Sequence, residues 1–221
     1  MTLTAFIKQH YPIACAVQRD ITQDDAVVTM LRRGPADAAL MQSWMRSYGL
    51  FQGITSADRT EVAKRFVTFV SEPDARRPLS GPDDVASRFS DLYIALYDVL
   101  PRTWTSATSK LLWCMFPDTI VIYDSFVHRA ALVLQCVDPV LRRYPRIGWP
   151  PSVTTKSEIA AAVAFYLNFQ LIVRTLAETH AALLNDLRIQ HAETYPYDIR
   201  ILDKLLWMIG DADYEVWPQE A

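Results

Sequence analysis

From one proline-marked break to the next, the apolar side chains of this chain recur every three or four positions, the repeat that lets a helix bury one face. Ile21 to Arg33 and Asp37 to Tyr48 are two such stretches, separated by the breaker pair Gly34 and Pro35, and they read as a helical hairpin. Thr55 or Ser56 caps a helix running to about Val70, with Val62, Phe66, Phe69 and Val70 on its buried face. The polar, proline-rich stretch from Glu72 to Pro82 is a loop, after which a helix from Asp83 reaches toward Leu100 with a stripe of Phe89, Leu92, Tyr93, Leu96 and Tyr97. A further helix covers about Ser106 to Phe116 and stops before Pro117. Thr119 to Tyr123 looks locally like a strand, but one five-residue apolar run without a partner reads as a buried extended connector. The longest helix spans Lys156 to about Leu187, carrying Ile159, Val163, Tyr166, Leu167, Gln170 and Leu171, a length that suits a central spine. The last runs from roughly Asp198 to Ile209 and stops at Gly210, a residue suited to ending helices. The fold class expected is therefore all-α, as one domain over residues 1–221, with sub-lobes 1–80 and 81–221 as the finer division.

Composition narrows the class of function. An apolar share of 51% with 21% charged residues is the balance of a globular protein. Charged or amide side chains interrupt each apolar run short of the roughly 18 residues a membrane span needs. The first eleven residues lack the basic start and apolar stretch of a signal peptide, so a cytoplasmic protein with no membrane partner is expected. Cys15, Cys114 and Cys136 are odd in number and widely spaced, and with the histidines they lack ligand spacing. Neither a disulfide framework nor a metal site is indicated, and no cofactor is called for. A net charge of −3 argues against holding nucleic acid by bulk positive charge, which leaves local basic faces at Arg32 and Arg33, Arg76 and Arg77, and Arg142, Arg143 and Arg146.

The residues that carry chemistry lie between Ser106 and Ala131. Lys110 sits on a helix otherwise filled by Leu111, Leu112, Trp113, Met115 and Phe116, so its stem packs against apolar neighbours. Asp124 follows an apolar run and precedes Ser125, Phe126, Val127, His128 and Arg129, which is an N-cap position. A carboxylate there accepts hydrogen bonds from free backbone amides and feels the positive end of the helix, so it stays ionised and suits a developing cation. Taken alone, the same residue is also an ordinary helix cap.

This segment resembles the core of the helix-hairpin-helix DNA glycosylase superfamily, in particular its 8-oxoguanine glycosylase branch. There a hairpin leads into a helix carrying a lysine, and a short loop ends in an aspartate that caps the following helix. Lys110 matches the lysine, Asp124 the aspartate, and the stretch from Asp124 to Arg129 is similar to the family's Asp-x-x-Val-x-Arg pattern. The chain departs from that pattern where the hairpin glycines stand two and four residues before the lysine, because those places hold Thr108 and Ser106. The resemblance implies a helix-hairpin-helix glycosylase-like domain with a cleft between helical halves. It implies a monomer acting on double-stranded DNA that carries a damaged or modified base, in repair or in defence against phage.

The chemistry so implied breaks an N-glycosidic bond, with Asp124 stabilising the oxocarbenium-like sugar or orienting the nucleophile. As a neutral amine, Lys110 would form a Schiff base and add AP lyase activity. A flipped base needs flat walls and polar edge-readers, for which Trp104, Trp113, Phe169, Gln170, Trp44 and Gln52 are candidates, although helical Trp113 and Trp207 read first as packing residues. Ser106, Thr108, Ser109, His128 and Arg129 are the candidate DNA contacts. Two other classes stay open: a catalytically silent DNA-binding relative that uses Lys110 and Asp124 as a structural ion pair, and a helical protein-interaction module.

Overall fold

The computed structural model describes residues 2–21, 23–192 and 195–211. Among them there are ten α-helices and no strand, so the fold is all-α: α1 (Leu3–Ile21), α2 (Asp24–Arg33), α3 (Ala38–Ser47), α4 (Ser56–Ser71), α5 (Pro82–Val99), α6 (Thr105–Met115), α7 (Ser125–Val137), α8 (Ile159–Thr179), α9 (Ala181–Gln190) and α10 (Asp198–Gly210). Single 3-10 turns lie at Leu141–Arg143 and Lys156–Glu158. The chain forms two compact units. One takes in the described residues of Met1–Asp20, Val121–Ile147 and Asn168–Ala221, and the other Ile21–Ile120 with Gly148–Leu167. The division therefore falls at none of the boundaries expected near residue 80. It follows packing rather than chain order, because the N-terminal helix α1 groups with the C-terminal helices and α8 contributes to both units.

In the unit built on Ile21–Ile120, the helix starts follow local chemistry. Asp37 caps α3, its carboxylate accepting from the amides of Ala39 (2.7 Å) and Leu40 (3.3 Å). Thr55 caps α4 by accepting from Asp58 N at 3.3 Å, as its sequence position suggested. Pro82 opens α5 with Asp83 and Asp84 in the first turn, where a missing N–H costs nothing and negative charge is favoured. Phe89 stacks on Tyr166 with ring centres 4.1 Å apart, and the Tyr93 hydroxyl accepts from Trp104 N at 2.8 Å, fixing the entry to α6. The carboxylate of Asp24, buried at the start of α2, accepts from Trp44 Nε1 at 2.9 Å and from the Tyr48 hydroxyl at 2.8 Å. Those donors offset the cost of removing the charge from water.

In the other unit α10 lies against α7. A Cβ built on Gly210 would sit 1.8 Å from the carbonyl oxygen of Phe126, so only glycine permits this approach. Gly210 is the last helical residue, and Asp211 follows with φ −81°. The helix thus ends where sequence placed its end, and the glycine there also serves close packing between helices. The connector before α7 forms no strand: Thr119 and Ile120 turn back onto the Phe116 carbonyl, Ile120 to Tyr123 are buried, and Gln170 pins the segment by accepting from Val121 N at 3.3 Å. Gln135 holds the chain after α7, donating to the Pro145 carbonyl at 2.8 Å and accepting from Ile147 N at 2.9 Å.

Two further sequence expectations change. The long helix breaks at His180, giving α8 and α9. Just before the break Thr175 and Thr179 turn their hydroxyls back onto the carbonyls of Leu171 (2.8 Å) and Thr175 (2.7 Å), a competition that bends helices. Secondly, Lys156–Thr179 is long and apolar enough to cross a membrane by length and composition, because Ile159 to Val173 holds no charged residue. Half of its most apolar window is buried inside the protein. Ile159, Ala162, Tyr166, Phe169, Ile172, Val173 and Leu176 form that buried face, while Leu171, placed on the stripe from sequence, is exposed.

Candidate active site

Asp124 occupies the N-cap of α7 with extended backbone, φ −139° and ψ 150°, and its Oδ1 accepts from Phe126 N at 2.9 Å. The side chain is partly exposed. Behind it, Tyr123 packs edge-on against Phe169 with ring centres 5.2 Å apart, and burial together with the Asp124 charge pushes its phenol up to about 12. Tyr123 is thus a neutral wall. On the other side the Arg129 guanidinium lies 5.3 Å from the centre of the Phe126 ring, and Trp207 of α10 meets that ring edge-on at 5.2 Å.

Lys110 belongs to the other unit. It is only 9% exposed on α6, with Nζ 3.4 Å from the Tyr48 carbonyl oxygen and 5.9 Å from the centre of the Tyr48 ring. Tyr48 in turn donates its hydroxyl to the buried Asp24 carboxylate. The Lys110 side chain is buried, as a helix filled with apolar neighbours suggested.

Most of the proposed base-pocket residues turn out to be structural. Trp44, Trp113 and Phe169 are wholly buried and Trp104 nearly so, with no ring face open to a base. Trp44 is tied to Asp24 and Trp104 Nε1 to the Leu100 carbonyl at 2.9 Å, while Gln170 is spent on the connector amide. A large aromatic side chain on a helix gains most by packing, and here each of these did. Gln52 alone of the set is exposed. It lines an open depression of about 540 Å3 with Gly53, Leu100, Pro101, Arg102 and Thr103.

The DNA-contact candidates divide in the same way. Thr108 and Ser109 are wholly buried, and the Ser109 hydroxyl is turned onto the Ser106 carbonyl at 2.9 Å, so neither offers a hydroxyl to a phosphate. They lie within α6, past its first turn, on the side that packs. His128 is buried beside Tyr123 and Phe169 and is likewise no DNA contact in this conformation. Ser106 and Arg129 keep exposed surface. Among the described residues no cluster of three or more His, Cys, Asp or Glu side chains is placed to hold a metal ion.

Sequence reading missed two residues, one on α10 and one beside the Gln52 depression. Lys204 on α10 places Nζ 3.6 Å from the centre of the Trp207 ring. Its pKa falls to about 8, first because burial disfavours the ammonium and then because Arg200 repels it, with Asp124 and Asp211 opposing. Trp207 is partly exposed, unlike the other tryptophans on helices. The only signal in the sequence was the spacing of Lys204 and Trp207 at i and i+3, which surface helices share. A second omission is Arg102, whose guanidinium donates to the Gln52 carbonyl at 3.1 Å and lies 5.1 Å from the Trp104 ring centre. Compared with protein-family models, with curated proteins and with solved structures, the chain matches none.

Proposed function

We propose that this protein is a DNA glycosylase that removes a damaged or modified base, 8-oxoguanine or a modified cytosine, from a flipped-out nucleotide. The observation that carries the reading is the Asp124 carboxylate, anchored on a backbone amide at the positive end of α7 while keeping exposed surface. The reading also draws on the likeness of the residues around Lys110 and Asp124 to the helix-hairpin-helix glycosylases.

The chemistry asks for little more at this position. As the bond from C1′ to the base nitrogen lengthens, its electron pair leaves with the base and positive charge grows on the sugar. A fixed carboxylate stabilises that charge without having to reorganise, and water or an amine then bonds to C1′. Tyr123, buried and neutral, limits water behind the carboxylate and so strengthens its field. In this reading Lys110 serves as a buried cation that shapes the first helices.

The deciding experiment incubates the protein with duplexes that each carry one candidate base and identifies released base by mass. Release from at least one duplex, lost in Asp124→Asn, is the expected result. DNA binding without release from any duplex would instead indicate a silent relative, and release that survives in Asp124→Asn would remove Asp124 from the mechanism.

A further inference from the structure

Three of the eight large apolar side chains exposed among the described residues fall close together: Val133 at 57%, Val137 at 62% and Val140 at 41%. Val133 and Val137 stand one turn apart on α7, and Arg129 precedes them by one turn on the same face. Val140 follows in the turn beyond the helix, where its φ of −72° and ψ of −47° continue the helical winding. Single exposed valines are ordinary, but three at successive turns leave apolar surface that water penalises. The chain after α7 is folded back onto this end and fixed there. Arg142 Nε donates to the Cys136 carbonyl oxygen at 2.7 Å, Gln135 holds the Pro145 carbonyl, and Asn168 Nδ2 donates to the Arg146 carbonyl at 3.2 Å.

The charge around these valines is one-sided. Residues 129–147 hold Arg129, Arg142, Arg143 and Arg146 against one acidic residue, Asp138, in a chain whose net charge is −3. All four arginines are exposed, whereas the Asp138 carboxylate is spent on the turn itself, accepting from Val140 N at 2.7 Å and Leu141 N at 3.2 Å. We propose that this end of α7 and the turn after it dock on the surface of a bilayer containing anionic phospholipids, the valines entering below the headgroups and the arginines pairing with phosphate. Guanidinium groups match phosphate oxygens two at a time and are weakly hydrated, which suits them to that interface. The contact lies on the bilayer without crossing it, so it needs no apolar run of spanning length.

Other occupants suit the same surface less well. A nucleic acid would pair with the arginines but gains nothing from the valines among them, since its backbone presents charge. A second copy related by two-fold symmetry would set arginine against arginine. A partner helix needs an apolar stripe sustained over several turns, and here the stripe on α7 holds only Val133 and Val137, with Val140 already beyond the helix. A fluid interface accepts a short, discontinuous apolar surface. The inference is independent of the glycosylase reading, because it uses neither Asp124 nor any other group assigned to base release.

The test uses the full chain with vesicles of phosphatidylcholine alone and of phosphatidylcholine mixed with phosphatidylglycerol. Co-sedimentation measures binding, and a polarity-sensitive fluorophore on Cys136 reports where the protein touches. That thiol is exposed between Val133 and Val137, while Cys15 and Cys114 are buried, so labelling is selective. Binding to the mixed vesicles only, weakened by salt and accompanied by a blue shift of the label, is the expected result. Arg143→Gln and Arg146→Gln should each weaken binding roughly fivefold, and Val137→Asp roughly tenfold or more. All three side chains are exposed, so melting curves should stay unchanged; should a variant fail to fold, the label on the unaltered chain still decides. Binding to neither vesicle, equal binding to both, an unshifted label, or undiminished binding in Val137→Asp each overturns the proposal. Where vesicle binding is absent, duplex DNA binding that is lost in Arg143→Gln would assign the surface to nucleic acid, and dimers abolished by Val137→Asp would assign it to a second copy.

Discussion

Asp124 caps α7 and, in the function proposed above, also supplies a charge, and a substitution can separate the two. As a cap it needs an oxygen for the Phe126 amide, and asparagine supplies one; as a charge it needs ionisation, which asparagine lacks. Asp124→Asn should therefore melt within about 1 kcal/mol of the unaltered protein while base release falls by roughly a hundredfold or more. Calorimetry and single-turnover release measure the two. His10 offers a different prediction. It is buried against Phe6 at 4.4 Å, and burial lowers its pKa below 6.5. The unfolded chain thus binds a proton at His10 before the folded one does, so stability is full above about pH 6.5 and declines as pH falls toward the folded value. His180 shifts in the same direction and adds to the decline. In His10→Phe the loss of melting temperature between pH 7 and pH 5 should shrink without vanishing. At this scale the sequence was legible where chemistry is local. The cap at Asp124 follows from residue type and position, whereas the burial of Trp44, Thr108 and His128 depends on elements distant in sequence.

Helices show the same division between local and distant causes. The starts of α3, α4 and α7 are readable because their capping side chains sit within three residues of the amides they serve. The break between α8 and α9 was hidden, since apolar periodicity continues across it and only the back-turned hydroxyls of Thr175 and Thr179 mark it. Helix α1 escaped notice because Pro12 stands inside it, and a proline in a helical pattern normally ends the helix. The contact between α7 and α10 is the most exacting prediction at this level. Gly210→Ala must move two helix backbones apart, which should lower stability by about 1–3 kcal/mol in a denaturant titration.

The two units are each assembled from separated stretches of chain, and this bears on truncation. Residues 2–20 look dispensable by position, yet Phe6, Ile7, Tyr11, Ala14 and Cys15 are wholly buried. Tyr11 also stacks on His191 at 6.0 Å, which ties the first helix to the ninth. Deleting residues 2–20 should yield an insoluble or proteolysed product, and a soluble, normally melting fragment would contradict that assignment. Nothing in the periodicity of α1 indicated which later helix it meets, since such pairing is a property of the folded chain as a whole. The order of synthesis gives this arrangement a cost. The first helix leaves the ribosome with its apolar face formed while the segment that covers it is still untranslated. Nascent chains stalled before residue 168 should therefore recruit chaperones that the finished protein does not need.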